Sequence, residues 1–258
     1  MTERPGRVRV IEDSQLLPQP ALTLADVDTQ GEAGLLGIAL DPDFTQNRFV
    51  YLLYTASRPG RDPVNRIVRF LEANNTLIDA VTLLDDIPAD RVHDGGRLRF
   101  GPDGFLYATM GDAAVRASAQ DLGVLTGKIL RIAKDGTTPM ENPYASQIYS
   151  YGHRNPQGID WHPASGDLWA TEHGAIGNDE LNRIQSGLNC GCRSSKGPRR
   201  WRECRRRCSS SRRRWHPQGH PFILARRSLV FRIICSLPRS AGHISVAWSS
   251  RQPIPEGS

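Results

Sequence analysis

Hydrophobic and polar positions follow one another in short runs along this chain, and a helical period is hard to find. Arg7-Val8-Arg9-Val10-Ile11 alternates and predicts a strand ending at Glu12-Asp13. Leu35 to Leu40 is an apolar strand closed by Asp41-Pro42-Asp43-Phe44. Phe49 to Thr55 is rich in aromatic and β-branched residues and predicts a third strand. Arg66 to Phe70 and Val81 to Leu84 predict two more, and between Ala119 and Gly127 only a short turn is expected.

The strand pattern repeats. Gly37 to Pro42 leads into Val50-Tyr51-Leu52. Gly96 to Gly104 leads into Leu106 to Thr109, and Gly158 to Gly166 leads into Leu168 to Thr171. Pro42, Pro102 and Pro163 lie about 60 residues apart. Each unit is strand, proline-centred turn, strand. A lone hairpin cannot bury its apolar face, so a repeat of this kind predicts an all-β fold, with the units as blades of a propeller.

Composition divides the chain. Residues 1–189 carry 17 Lys+Arg against 25 Asp+Glu, a net −8, and no cysteine. Residues 190–258 carry 16 against 2, a net +14, and all five cysteines. Two units are therefore expected: a mildly acidic blade region over 1–189 and an Arg/Ser/Cys-rich tail over 190–258. No apolar run is long enough to span a bilayer, and Met1-Thr2-Glu3-Arg4-Pro5 is not the start of a signal peptide.

The stretch from Tyr149 to Asn189 gives up packing residues for polar ones, and loops on a rigid scaffold carry function. It opens with Gly152-His153-Arg154-Asn155-Pro156-Gln157-Gly158 and runs to Glu172-His173-Gly174 and Asp179-Glu180-Leu181-Asn182. Together with Gly34 to Phe44, His93 to Asp112 and Leu125 to Ile132, this stretch resembles the glucose/sorbosone dehydrogenase family, soluble aldose sugar dehydrogenases that use pyrroloquinoline quinone (PQQ). The resemblance covers roughly residues 2–189. It implies a six-bladed propeller, here incomplete, and oxidation of the anomeric C–OH of an aldose to a lactone by hydride transfer to PQQ. It also implies a periplasmic or secreted enzyme. In the family a segment like Thr2 to Arg7 follows an earlier strand behind a secretion signal, so Met1 reads as an internal start.

The resemblance assigns roles residue by residue. His93 matches the catalytic base, and a neutral imidazole near pH 7 suits that task. Arg154 and Asn155 match cofactor anchors; a guanidinium pairs with carboxylate and quinone oxygens. Asp112 matches an aspartate of the same channel. Glu32 stands where the family commonly has a Gln on the cofactor, and a carboxylate there repels an anionic quinone unless Ca²⁺ or Arg154 lies between. The carbonyls of Gly174 and Ala175 match a calcium-binding turn. Glu180 matches a calcium-binding Glu, partnered in the family by a Tyr ten residues on, where this chain has Cys190. A solvated loop histidine, an arginine tying two blades and plain turns are the structural alternatives.

After Asn189 the resemblance stops. A basic nucleic-acid-binding tail and a zinc site built on Cys190, Cys192, Cys204 and Cys208 are weighed against a shifted reading frame, which the composition favours; nucleic acid is not an expected partner. Without the later blades of the family, weak or no PQQ binding is expected of the chain. The rival readings are a metal-dependent lactonase and a non-catalytic sugar- or protein-binding propeller remnant. The preferred sugar, the electron acceptor and the oligomeric state are not written in the sequence.

Overall fold

A computed structural model describes residues 1–175 and 179–191 and, as backbone, the strand His243–Ile244. The first strands are short: β1 (Thr2–Glu3), β2 (Arg7–Val8), β3 (Ile11–Glu12), β4 (Gln15–Leu16) and β5 (Leu22–Thr23). The strand expected over Arg7–Ile11 is thus broken in two. Asp13 and Ser14 both take positive φ, 48° and 64°, and close a two-residue hairpin that pairs Ile11 with Leu16. That turn pulls Ile11 out of line with Val8, which packs into the core.

Three larger sheets follow. The first is β6 (Leu35–Leu40), β7 (Phe49–Arg58), β8 (Arg61–Ala73) and β9 (Thr76–Pro88), antiparallel in that order, with a single short helix α1 (Phe44–Asn47) between β6 and β7. The second is β10 (Leu98–Phe100), β11 (Leu106–Met110), β12 (Lys128–Ile132) and β13 (Ile148–Tyr151), with a 3₁₀ turn at Ser118–Gln120. The third is β14 (Pro156–Trp161), β15 (Leu168–Glu172) and β16 (Glu180–Ile184). The strand His243–Ile244, β17, pairs with β1.

The three proline-centred turns join the first two strands of the three sheets, so Leu40 pairs with Val50, Phe100 with Leu106 and Trp161 with Leu168. The repeat is therefore a blade repeat. Apolar residues line both faces of β7 and β11, because the first and second of these sheets each lie between two neighbours. Tyr51, Leu53 and Ile67 of the first large sheet pack on Leu106, Ala108 and Leu130 of the second. Tyr107 and Ile129 of the second pack on Ile159, Leu168 and Ala170 of the third. First strands approach closely: a Cβ on Gly37 of β6 would lie 2.4 Å from the Gly96 carbonyl oxygen, so only glycine lets the blades meet there. The described residues are blades of a β-propeller that, among themselves, do not close a ring.

The topology decides where chemistry can gather. In an antiparallel pair the start of strand one lies beside the end of strand two. The segments that enter β6, β10 and β14, and those that leave β11 and β15, all fall at the same end of their sheets. They contain Glu32, His93, Arg154 and Asn155, and then Asp112 and Gly174.

Candidate active site

His93 sits on the segment entering β10, in a left-handed backbone conformation (φ 65°) that costs a non-glycine residue on the order of 1 kcal/mol or more. Neighbours on several blades hold it there. Its N–H donates to Glu32 Oε2 at 2.9 Å, and its carbonyl accepts the Ala113 N–H at 3.3 Å. Gly111 passes so close that a Cβ would lie 1.8 Å from that carbonyl oxygen. The imidazole Nδ1 donates to Asp112 Oδ1 at 2.7 Å, since a carboxylate can only accept. Its Nε2 has no partner among the described residues.

Asn155 closes the group. Its Nδ2 donates to Glu32 Oε2 at 3.2 Å, while its Oδ1 accepts the Gly95 N–H at 3.2 Å and Gln157 Nε2 at 2.9 Å. The Asp112 N–H donates to the Arg154 carbonyl at 2.8 Å. Glu32, His93, Asp112, Arg154 and Asn155 therefore form one hydrogen-bonded cluster drawn from three sheets. Gln157 and Glu172 belong to it as well, and neither was singled out by the sequence.

Behind Arg154 lies a buried polar string. Ser150 Oγ and His153 Nε2 are 2.9 Å apart, and His153 Nδ1 and Glu172 Oε2 are 3.0 Å apart. That is the order of a nucleophile, base and carboxylate, but Ser150 and His153 are fully buried, so no substrate reaches them. The string instead holds backbone: Glu172 Oε1 accepts the Arg154 N–H, and Asn182 Nδ2 donates to Glu172 Oε2 at 3.2 Å. Burial alone would raise the Glu172 carboxyl, but the His153 ring and these donors outweigh it and hold it below the usual range.

The predicted ligands of a cofactor and a cation differ in how they fit. Arg154 Nη1 donates to the carbonyls of His173 at 2.9 Å and Gly174 at 3.2 Å. Its Nε and Nη2 have no partner among the described residues, which suits an anionic, oxygen-rich group such as PQQ. The Gly174 carbonyl expected to bind calcium thus accepts the guanidinium with one of its two lone pairs, and a cation there would compete with Arg154. Among the described residues no group of three or more His, Cys, Asp or Glu side chains is placed to hold a metal ion. Glu180 lies against Asn182, whose Nδ2 is 3.4 Å from Glu180 Oε2, and Ala175 is exposed at the edge of the described chain. No helix among the described residues is long and apolar enough to cross a membrane. Of the tail, Cys190 and Gly191 are described, and Cys190 packs beside the third core cluster; the other cysteines lie outside the described residues.

Comparison with known proteins gives consistent matches. The Glucose / Sorbosone dehydrogenase family profile matches residues 1–200, running past Asn189. Aldose sugar dehydrogenase YliI of Escherichia coli is 36% identical over 203 residues, covering 74% of this chain and 54% of that protein. Quinoprotein glucose dehydrogenase B of Acinetobacter calcoaceticus is 34% identical over 194 residues, covering 64% and 40%. The PQQ-bound form of an aldose sugar dehydrogenase from Streptomyces coelicolor superposes with a TM-score of 0.69 at 37% identity, covering 76% of this chain and 59% of that one. The chain spans about half the length of the curated relatives it matches.

Proposed function

The chain belongs to the glucose/sorbosone dehydrogenase family, and from that premise we propose that its blades carry the base and the anchoring residues of a PQQ-dependent aldose dehydrogenase. The observation that carries the reading is the His93–Asp112 pair at 2.7 Å, held inside a cluster that also contains Arg154 and Asn155.

The chemistry assigned to the protein is proton transfer and positioning. His93 Nε2 takes the proton of the anomeric hydroxyl as the carbon-bound hydrogen leaves with its electron pair. Asp112 holds the Nδ1–H, so the ring presents its lone pair at Nε2 and is stabilised once it becomes imidazolium. PQQ, when bound, supplies the two-electron acceptor. Arg154, whose Nε and Nη2 have no partner among the described residues, would hold its anionic oxygens, and Asn155 orients the Glu32 side of the site. The sugar product is the lactone. Calcium enters this proposal as a competitor of the Arg154 guanidinium for the Gly174 carbonyl. The tail over residues 190–258 is proposed to contribute none of these groups, and a shifted reading frame is proposed to account for its composition.

Dye-linked glucose oxidation by the full chain, with and without PQQ and Ca²⁺, tests the reading. In keeping with weak PQQ binding, PQQ-dependent turnover by the chain is expected to be weak, and H93Q is expected to lower it by roughly 10²-fold or more. Turnover that is indifferent to PQQ, or equal in H93Q, would overturn it.

A further inference from the structure

Asp94 follows the proposed base and plays no part in the reaction as written above, yet it is among the most buried charged side chains of the described residues, 1% exposed. Its Oδ1 accepts the Asp90 N–H at 3.2 Å and Asn65 Nδ2 at 3.4 Å; its Oδ2 has no partner among the described residues. Asn65, on β8, in turn accepts the Thr55 hydroxyl of β7 at 2.8 Å through its Oδ1. A half-satisfied buried carboxyl is costly. Burial pushes it up to about 6 against the Asp90 and Asn65 donors, and the Glu32 and Asp90 charges add to the rise. A leucine would fill the same place more cheaply, so a buried acceptor here needs a reason.

The reason lies in the backbone around it. His93, Gly95 and Gly96 have φ of 65°, 70° and 115°, a run of left-handed residues that no regular ladder supports. His93 is tied to Glu32, Gly95 to Asn155 and Gly96 to Thr109. Asp94 is buried, and Asn65 Nδ2 donates to its Oδ1 at 3.4 Å and lies 3.5 Å from its backbone carbonyl, which ties the run to the neighbouring sheet. We propose that Asp94 is a positioning residue for His93: the buried string Thr55–Asn65–Asp94 fixes the left-handed segment that brings the imidazole to Asp112. This rests on the reading of His93 as the base, and the step it explains is the aim of that base, not proton transfer itself.

The test reads the His93 Nδ1–H proton by ¹⁵N-edited NMR on the full cofactor-free chain, with H93Q for assignment and a melting curve for each variant. The unsubstituted chain is expected to show a downfield, exchange-protected resonance. D94N keeps the Oδ1 acceptor and should retain that resonance, while D94A should lose it although the chain remains folded. Where D94A does not fold, N65A and then T55V, which cut the string farther from the base, read the same quantity. With PQQ added, D94A is expected to lower kcat roughly tenfold or more with little change in KM. Retention of the resonance in a folded D94A or N65A chain overturns the proposal, as does its absence from the unsubstituted chain. If the resonance behaves as expected while H93Q still oxidises aldose, the base assignment fails and the positioning role stands.

Discussion

Glu32 and Asn155 are 123 residues apart in sequence, and Asn155 Nδ2 donates to Glu32 Oε2 at 3.2 Å. The same oxygen accepts the His93 N–H at 2.9 Å, so one carboxylate joins the entrances of β6, β10 and β14. Both partners are donors, and a Gln side-chain oxygen can accept from both. E32Q should therefore preserve the cluster while removing a negative charge that repels an anionic cofactor. We expect PQQ to bind roughly tenfold more tightly, about 1.4 kcal/mol, in an absorbance titration of the full chain. Equal or weaker binding would show that the Glu32 charge is neutralised in the complex.

Asp112 is buried and makes two bonds through Oδ1, one to His93 Nδ1 at 2.7 Å and one to the Ala114 N–H at 3.1 Å. D112N keeps the shape but offers the ring an amide, which can turn its NH₂ to Nδ1 and force the proton onto Nε2. The nitrogen needed as base would then be blocked. A fall in kcat of roughly 10²-fold, with KM for glucose changed by no more than about twofold, is expected. A parallel rise in KM with intact kcat would place Asp112 on the sugar instead.

The blade repeat was legible because proline turns and strand alternation are local signals, and Leu40–Val50, Phe100–Leu106 and Trp161–Leu168 pair where the repeat requires. The gathering of Glu32, His93, Asp112, Arg154 and Asn155 was legible only through the family resemblance. Their separation in sequence is bridged by blade order, which hydrophobic period does not encode. Glu172 was read only as part of a turn, because its contact with His153 depends on the pairing of Pro156 with Glu172 across β14 and β15. The break between Val8 and Ile11 was missed because Asp13-Ser14 adopts a left-handed pair without glycine. Arg154 on the Gly174 carbonyl is a side-chain choice among several acceptors, and nothing in the residue order selects it.

Glu172 receives the Arg154 N–H, His153 Nδ1 and Asn182 Nδ2 in a site almost closed to water. E172Q cannot accept from all three, because its amide nitrogen is itself a donor. A loss of about 3 kcal/mol is expected, or a fall in Tm of roughly 6–12 °C. The carboxyl is held below its unfolded value of 4.5, so its contribution is present above that pH and is lost as pH falls through the folded value. Melting curves from pH 7 to 3 should show the gap between the two chains narrowing on the acid side. A gap that stays constant would mean that Glu172 does not titrate with folding.

Lys128 opens β12 with no exposed surface, and its Nζ donates to the carbonyls of Thr126 at 2.6 Å, Ser118 at 2.8 Å and Ala119 at 3.4 Å. It thereby gathers the loop that runs on from Asp112, so K128M should leave those carbonyls without a donor and cost about 2–4 kcal/mol. Burial pushes the amine down to about 8 from 10.5, against the Asp121 charge that acts the other way. Between those two values the unfolded chain holds the extra proton, so the free energy of unfolding rises with pH, by up to about 3 kcal/mol. Tyr51 and Tyr107, whose hydroxyls burial holds well above their usual range, oppose this rise in both chains and cancel in the difference. Urea unfolding of the unsubstituted chain and K128M at pH 7.5 and 10 therefore measures the lysine alone. The stability lost in K128M should be larger at pH 10. An equal loss at both values would mean that the three carbonyls keep Lys128 charged throughout, and faster hydrogen exchange over residues 113–127 would then be the remaining mark of its hold on the Asp112 loop.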